Sequence, residues 1–158
     1  MPDETALRKQ IALTLDWEDA HAGFDAAVEG LPPELRGKTP PGLPYSPWQL
    51  VEHIRRTQAD ILEFCQPSGY QEKEWPKDYW PEGAAPPSAK TWDESIAAVR
   101  RDRKALAALT VDKKTDLTAP VPQGTGQSYL REVLLVADHT AYHVGELIVV
   151  RRLLGAWK

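Results

Sequence analysis

Two imidazoles four residues apart, in His139-Thr-Ala-Tyr-His143, carry the strongest chemical signal in the sequence. On a helix this spacing puts both rings on one face with Cβ atoms about 5–6 Å apart, within reach of a single cation. The same face runs through Glu132, Leu135, Val136, Leu147 and Val150, a mostly apolar stripe. A buried neutral imidazole has one donor and one acceptor to satisfy. Two explanations stand: a shared metal ion, for which the ring nitrogen is the commonest protein ligand, or separate hydrogen bonds from each ring to other groups. Thr140 occupies the place where the zinc-protease motif H-E-x-x-H has its glutamate, so chemistry of that kind is not expected.

His53 falls on a second apolar stripe, made by Leu50, Thr57, Ile61 and Phe64. Three protein ligands plus a position for solvent is the arrangement of catalytic rather than structural zinc. Glu146, close to one turn beyond His143, is the candidate carboxylate for proton transfer or for a hydrogen bond to a ligand, with a plain surface glutamate as the alternative. Asp138 and Tyr142 project away from the histidine face. His21 belongs either to the same cavity or, as a lone histidine, to the structural background.

The elements that position these residues read as four helices. The first spans Glu4 to Val28, with Leu7, Ile11, Leu15, Phe24 and Val28 at roughly helical intervals. The proline-rich stretch from Leu31 to Tyr45 is an ordered loop. Ser46-Pro47 then starts a second helix that reaches Phe64 or Cys65. A connection from Gln66 to Lys90 is far longer than the usual few residues, and Trp75, Tyr79 and Trp80 within it could close over a cavity as a lid. Thr91-Trp-Asp-Glu94 has the form of a capping box and opens the third helix, to about Leu109. The fourth runs from Ser128 to Leu154, about 40 Å at ~1.5 Å per residue, closed by Gly155. Gly124-Thr-Gly126 reads as a plain turn, and Arg100-Arg-Asp-Arg-Lys104 as the solvated side of the third helix. No strand is expected, so the fold class is all-α: a four-helix bundle in which facing helices supply the site.

Composition narrows the function. With 158 residues, 42% hydrophobic and 27% charged, the chain reads as one globular domain over residues 1–158. A net charge of −4 argues against nucleic acid as a partner. The one cysteine, Cys65, permits neither an internal disulfide nor a cysteine-rich zinc cluster, so a metal would rest on histidine and carboxylate. The start has no signal-peptide core and no stretch approaches ~18 uncharged apolar residues. Neither secretion nor membrane insertion is therefore expected, and the cytoplasm is the default.

Three motifs together, Trp48-Gln-Leu-Val-Glu-His53-Ile, His139-Thr-Ala-Tyr-His143-Val-Gly145-Glu146 and Arg151-Arg-Leu-Leu-Gly155, resemble the DinB/YfiT-like superfamily. The resemblance spans essentially the whole chain. It implies an up-down-down-up bundle with its long crossover between the second and third helices, commonly a homodimer. It also implies a divalent metal, nickel or zinc, on a triad at His53, His139 and His143. Members with known roles include transferases and isomerases that use a low-molecular-weight thiol, and metal-dependent hydrolases. Many relatives have glutamine where this chain has Glu146, which leaves the ligands intact and adds a base or fourth ligand. The expected partner is a small-molecule substrate. The alternative, from a different class, is a non-catalytic dimeric stress protein that binds metal or a small ligand.

Overall fold

The computed structural model describes residues 4–67 and 69–157. Five α-helices make up its regular structure: α1 (Thr5–Leu13), α2 (Phe24–Val28), α3 (Pro47–Phe64), α4 (Ala89–Val111) and α5 (Tyr129–Leu153). Among the described residues there is no strand, only an isolated antiparallel bridge between Pro120 and Ser128. α3 packs against both α4 and α5, and α1 lies mainly on α4.

Local chemistry fixes the ends of the three long helices. At α3 the Ser46 hydroxyl accepts from the Gln49 amide at 3.2 Å, and the Gln49 side chain accepts from the Ser46 amide at 3.0 Å. This is a full capping box followed by proline in the first turn. At α5 Ser128 caps the start, and Gly155, at φ +71°, ends the helix. The Gly155 amide bonds the Arg152 carbonyl and the Ala156 amide the Arg151 carbonyl, the double closure that a left-handed glycine permits. α4 starts a turn earlier than expected. Its cap is Ser88, whose hydroxyl accepts from the Thr91 amide at 3.0 Å, while the Thr91 hydroxyl is itself bonded to Ser88.

The first predicted helix is two helices. α1 passes into a 3₁₀ turn at Thr14–Asp16, and residues 17–23 form a loop before α2. Nothing between Leu15 and Phe24 offers an inward apolar side chain at helical spacing except Trp17, which is 45% exposed. Leu7, expected in the core, points outward, and Arg8 is the buried residue of α1. Arg8 donates to the carbonyls of Thr110, Asp112 and Thr115, closing the C-terminal end of α4. Nor is Arg100-Arg-Asp-Arg-Lys104 merely solvated. Arg100 and Arg103 each reach Asp25 at 2.6 Å, and Arg103 also meets Asp16 at 2.6 Å, which ties α4 to α2 and the 3₁₀ turn.

Phe24, Trp48, Leu50, Ile54, Trp92, Val99, Leu147 and Val150 make the main core, from α2 through α5. A smaller cluster, Leu15, Ile61, Leu106, Val133 and Val136, fills the other end. By length and mean hydropathy α5 would suffice to cross a membrane, but Asp138 and Glu146 interrupt it, so it contains no uncharged apolar stretch of ~18 residues, as expected. It carries the buried Glu132, His143 and Arg151, and it packs against α2 and α3.

Candidate metal centre

α3 and α5 face each other at the histidines. Their packing brings His53, buried, together with His139, half-buried, and His143, buried. The ring centroids stand 4.8 Å apart for His53 and His139, and 4.5 Å for each of the other two pairs. One ligand nitrogen from each lies within 4.8 Å of the other two.

The hydrogen bonds behind the rings decide which nitrogen faces the centre. His53 Nδ1 lies 3.0 Å from the Tyr79 carbonyl oxygen. A carbonyl only accepts, so Nδ1 carries the proton and Nε2 carries the lone pair. His143 Nδ1 lies 2.6 Å from Glu146 Oε2. There too the carboxylate accepts from Nδ1–H, which leaves the Nε2 lone pair free. His139 Nε2 sits 3.0 Å from His53 Nε2. Fixing a ligand tautomer through its second nitrogen is the usual way a protein orients a metal-binding histidine.

Electrostatics favours the neutral rings that a metal requires. Burial pushes His53 down to about 4, against the opposing pull of the Tyr79 carbonyl, with His143 adding to the depression. Burial also pushes His139 down to about 3, helped by His143 and His53. Neutral imidazole is the binding form, so these rings need release no proton to bind. Zinc–nitrogen bonds of about 2.0–2.1 Å hold tetrahedral ligands roughly 3.3 Å apart, so shifts of about an ångström would bring the three nitrogens onto one cation. The donor set fits a divalent ion of the borderline kind.

The loop between α3 and α4 covers the triad. Trp80 stacks on His53 with centroids 3.8 Å apart and planes 7° apart, and Tyr45 stacks on the other end of this sandwich at 4.1 Å. Tyr79 contributes its carbonyl to His53 and its hydroxyl to Asp60 Oδ2, at 2.7 Å. Trp75, 66% exposed, touches His53 only edge-on. Beneath the loop Arg56 donates to the Trp80 carbonyl at 3.0 Å. Glu52, buried, receives Arg55 at 2.6 Å, Arg56 at 3.1 Å and the Ser95 hydroxyl at 2.6 Å. Burial works against the Glu52 charge, but Arg55 and Ser95 outweigh it and hold the carboxyl below its ordinary range.

Reading the sequence did not single out Glu52, Arg56 or Asp60. The i+3 and i+4 spacing of Glu52, Arg55 and Arg56 was the available signal for the first two. His21 is not part of the centre. It sits in the exposed loop after the 3₁₀ turn, with Nδ1 3.2 Å from the Ala22 carbonyl. There it lines a separate cavity of about 350 Å³ with Trp17, Phe24 and Thr140.

Three imidazoles converging from two helices, with the outer nitrogens of His53 and His143 held by the protein, define a histidine-triad site on an all-helical scaffold, positioned to hold a metal ion. The family model described as the DinB superfamily matches residues 16–147, and the chain belongs to that superfamily. No curated protein and no solved structure matches it significantly.

Proposed function

We propose that the protein is a metal-dependent enzyme of the thiol-dependent S-transferase or hydrolase type, with nickel or zinc on His53, His139 and His143. One observation carries this reading: the Tyr79 carbonyl and the Glu146 carboxylate each accept a hydrogen bond from an outer ring N–H, which directs the lone pairs of His53 and His143 inward. When bound, such a cation lowers the pKa of a coordinated thiol or water, so that thiolate or hydroxide is available near neutral pH.

The chain's own residues do the rest. Trp80, stacked on His53, keeps bulk water from one side of the centre. Glu146 orients His143, and as the catalytic carboxylate it takes up the proton that the nucleophile releases. It also lines an apolar slot of about 300 Å³ with Leu43, Tyr45, Leu50 and Val149, which receives the apolar part of a small-molecule substrate. We read the four longer helices as a single domain, an up-down-down-up bundle whose crossover is the connection from Cys65 to Ser88. The exposed α5 residues Leu134, Tyr142, Val149 and Leu153 support a homodimer. We place it in the cytoplasm, with neither nucleic acid nor membrane as partner.

The test is elemental analysis of protein purified without chelator or histidine tag, for wild type, His53→Ala and His143→Ala. It is followed by conjugation assays with several thiols and by ester and amide hydrolysis. About one nickel or zinc per chain, lost in both folded variants, with metal-dependent turnover in one assay, is the expected result. Metal without turnover in any assay would leave a binding module, and no metal even after reconstitution would sink the proposal.

A further inference from the structure

The contact between α3 and α5 holds a second polar cluster that the triad does not use. Asp60 follows His53 by seven residues and Glu132 precedes His139 by seven, so each lies almost in line with its histidine, about 10 Å along its helix at ~1.5 Å per residue. Both line one cavity of about 410 Å³, together with Phe64, Tyr70, Glu72 and Gln123. Asp60 is only 8% exposed. Its Oδ2 accepts from the Tyr79 hydroxyl, but its buried Oδ1 has no hydrogen-bond partner. Gln123 repeats the pattern. Its amide nitrogen donates to the Gln66 carbonyl, which fixes the orientation of the group and leaves Oε1 buried without a donor.

Carboxylate and amide oxygens only accept, so two such atoms without donors in one cavity need explaining. The basic groups nearby are engaged elsewhere: Lys73 with Glu63 at 3.0 Å, and Arg131 with Glu132 Oε1 at 2.5 Å. Burial raises the Asp60 carboxyl above its ordinary range despite the Tyr79 and Tyr70 hydroxyls that face it. The Tyr70 hydroxyl faces the carboxyl without bonding Oδ1, so a donor is still missing there, and a cationic one would also offset the burial of the carboxylate. Phe64 and Tyr70, with ring centroids 5.0 Å apart, supply an aromatic wall on which an alkylated cation can rest. A hard metal ion wants six or more oxygens, and since Glu72 and Glu132 also line the cavity, calcium is the rival occupant that the titration must exclude.

We infer that this cavity is a recognition site for a primary ammonium group, which donates to Asp60 Oδ1 and Gln123 Oε1 against the Phe64–Tyr70 wall. Tyr79 joins it to the triad, holding His53 by its carbonyl and Asp60 by its hydroxyl. The substrate class follows, a step that rests on the triad being a catalytic metal centre: a small molecule with a primary amine on the order of 10 Å from its reacting atom.

The test is an amide-resolved NMR titration of the full chain with n-butylamine hydrochloride, and with 1-butanol as its uncharged counterpart. Butylammonium is expected to bind saturably, with shifts confined to the cavity, and 1-butanol to bind much more weakly. Asp60→Asn, which keeps the shape and removes the charge, should weaken the amine about tenfold, since charge-assisted hydrogen bonds are roughly twice as strong as neutral ones. Gln123→Met keeps the volume, removes the acceptor and should weaken it severalfold, so the inference stays testable if Asp60→Asn folds poorly. Amine and alcohol binding alike, no binding, no loss in either variant, or displacement of the amine by equal potassium or calcium would each overturn the inference. His143→Ala should bind the amine as wild type does. If wild type takes up no metal yet still binds butylammonium, the catalytic reading fails and this site stands.

Discussion

Removing the carboxylate behind His143 gives a quantitative test of the centre. Glu146 Oε2 lies 2.6 Å from His143 Nδ1, a charge-assisted hydrogen bond whose two side chains are 36% and 10% exposed. Hydrogen bonds to charged groups contribute about 1.5–3 kcal/mol. Solvent reaches the glutamate and screens it, so the lower end applies. At about 1.4 kcal/mol per tenfold change, Glu146→Ala should weaken metal affinity about tenfold, the lower bound for loss of a partner behind a metal ligand. Glu146→Gln keeps an oxygen acceptor of roughly half the strength and should cost only about threefold. Asp138→Ala serves as the control, because Asp138 is exposed beside His139 and should change nothing. Competition with a chromophoric chelator, for nickel and for zinc, measures all three. If Glu146→Ala binds as tightly as wild type while remaining equally helical, the carboxylate does not orient His143 and the argument from the outer nitrogens fails.

Three further outcomes follow from the packing and the charges. With His53 at about 4 and His139 at about 3, the folded metal-free chain resists protons that the unfolded chain accepts near pH 6.5, so its stability should fall as pH drops from about 6.5 toward 4. Chemical denaturation at pH 7.5, 6 and 5 would expose the error if the midpoints did not move. Glu52→Ala strips Arg55, Arg56 and Ser95 of their shared acceptor; because both arginines are 30% exposed, the cost should be about 2–3 kcal/mol, read as a melting point lower by roughly 5–10 °C. Gly145 lies inside α5 with nothing within 4 Å of a built Cβ, so Gly145→Ala should stabilise the helix by about 0.5–1 kcal/mol, and a lower melting point would mean that a neighbour occupies that surface.

Much of the long helices was legible in the sequence, since Ser46-Pro47, Ser128 and Gly155 act through their immediate neighbours. The triad was legible for the same reason: helical spacing alone put His139 beside His143, and His53 lay on its own apolar stripe. The break between α1 and α2 was not. Isolated apolar residues such as Leu7 and Phe24 fit a helical period by chance, and the burial of Arg8 depends on the distant end of α4. The surroundings of the triad were equally hidden. Tyr79 meets His53 across 26 residues of sequence, and no local pattern encodes a carbonyl arriving from a loop.

The loop over the triad is held largely by its main chain. His53 takes the Tyr79 carbonyl, Arg56 those of Trp80 and Asp78, and Ser46 that of Ala84. A carbonyl is the same whichever residue bears it, so these anchors are indifferent to the side chains in between. Trp80, stacked on His53, is one exception, and Tyr79, through its hydroxyl, another. At Lys77, Glu82 or Gly83 a lineage can exchange residues above the triad while the loop keeps its course, whereas the Asp78 carboxylate holds the Glu74 amide. Such a surface can change what it presents to a ligand by single substitutions, with the three histidines underneath left in place.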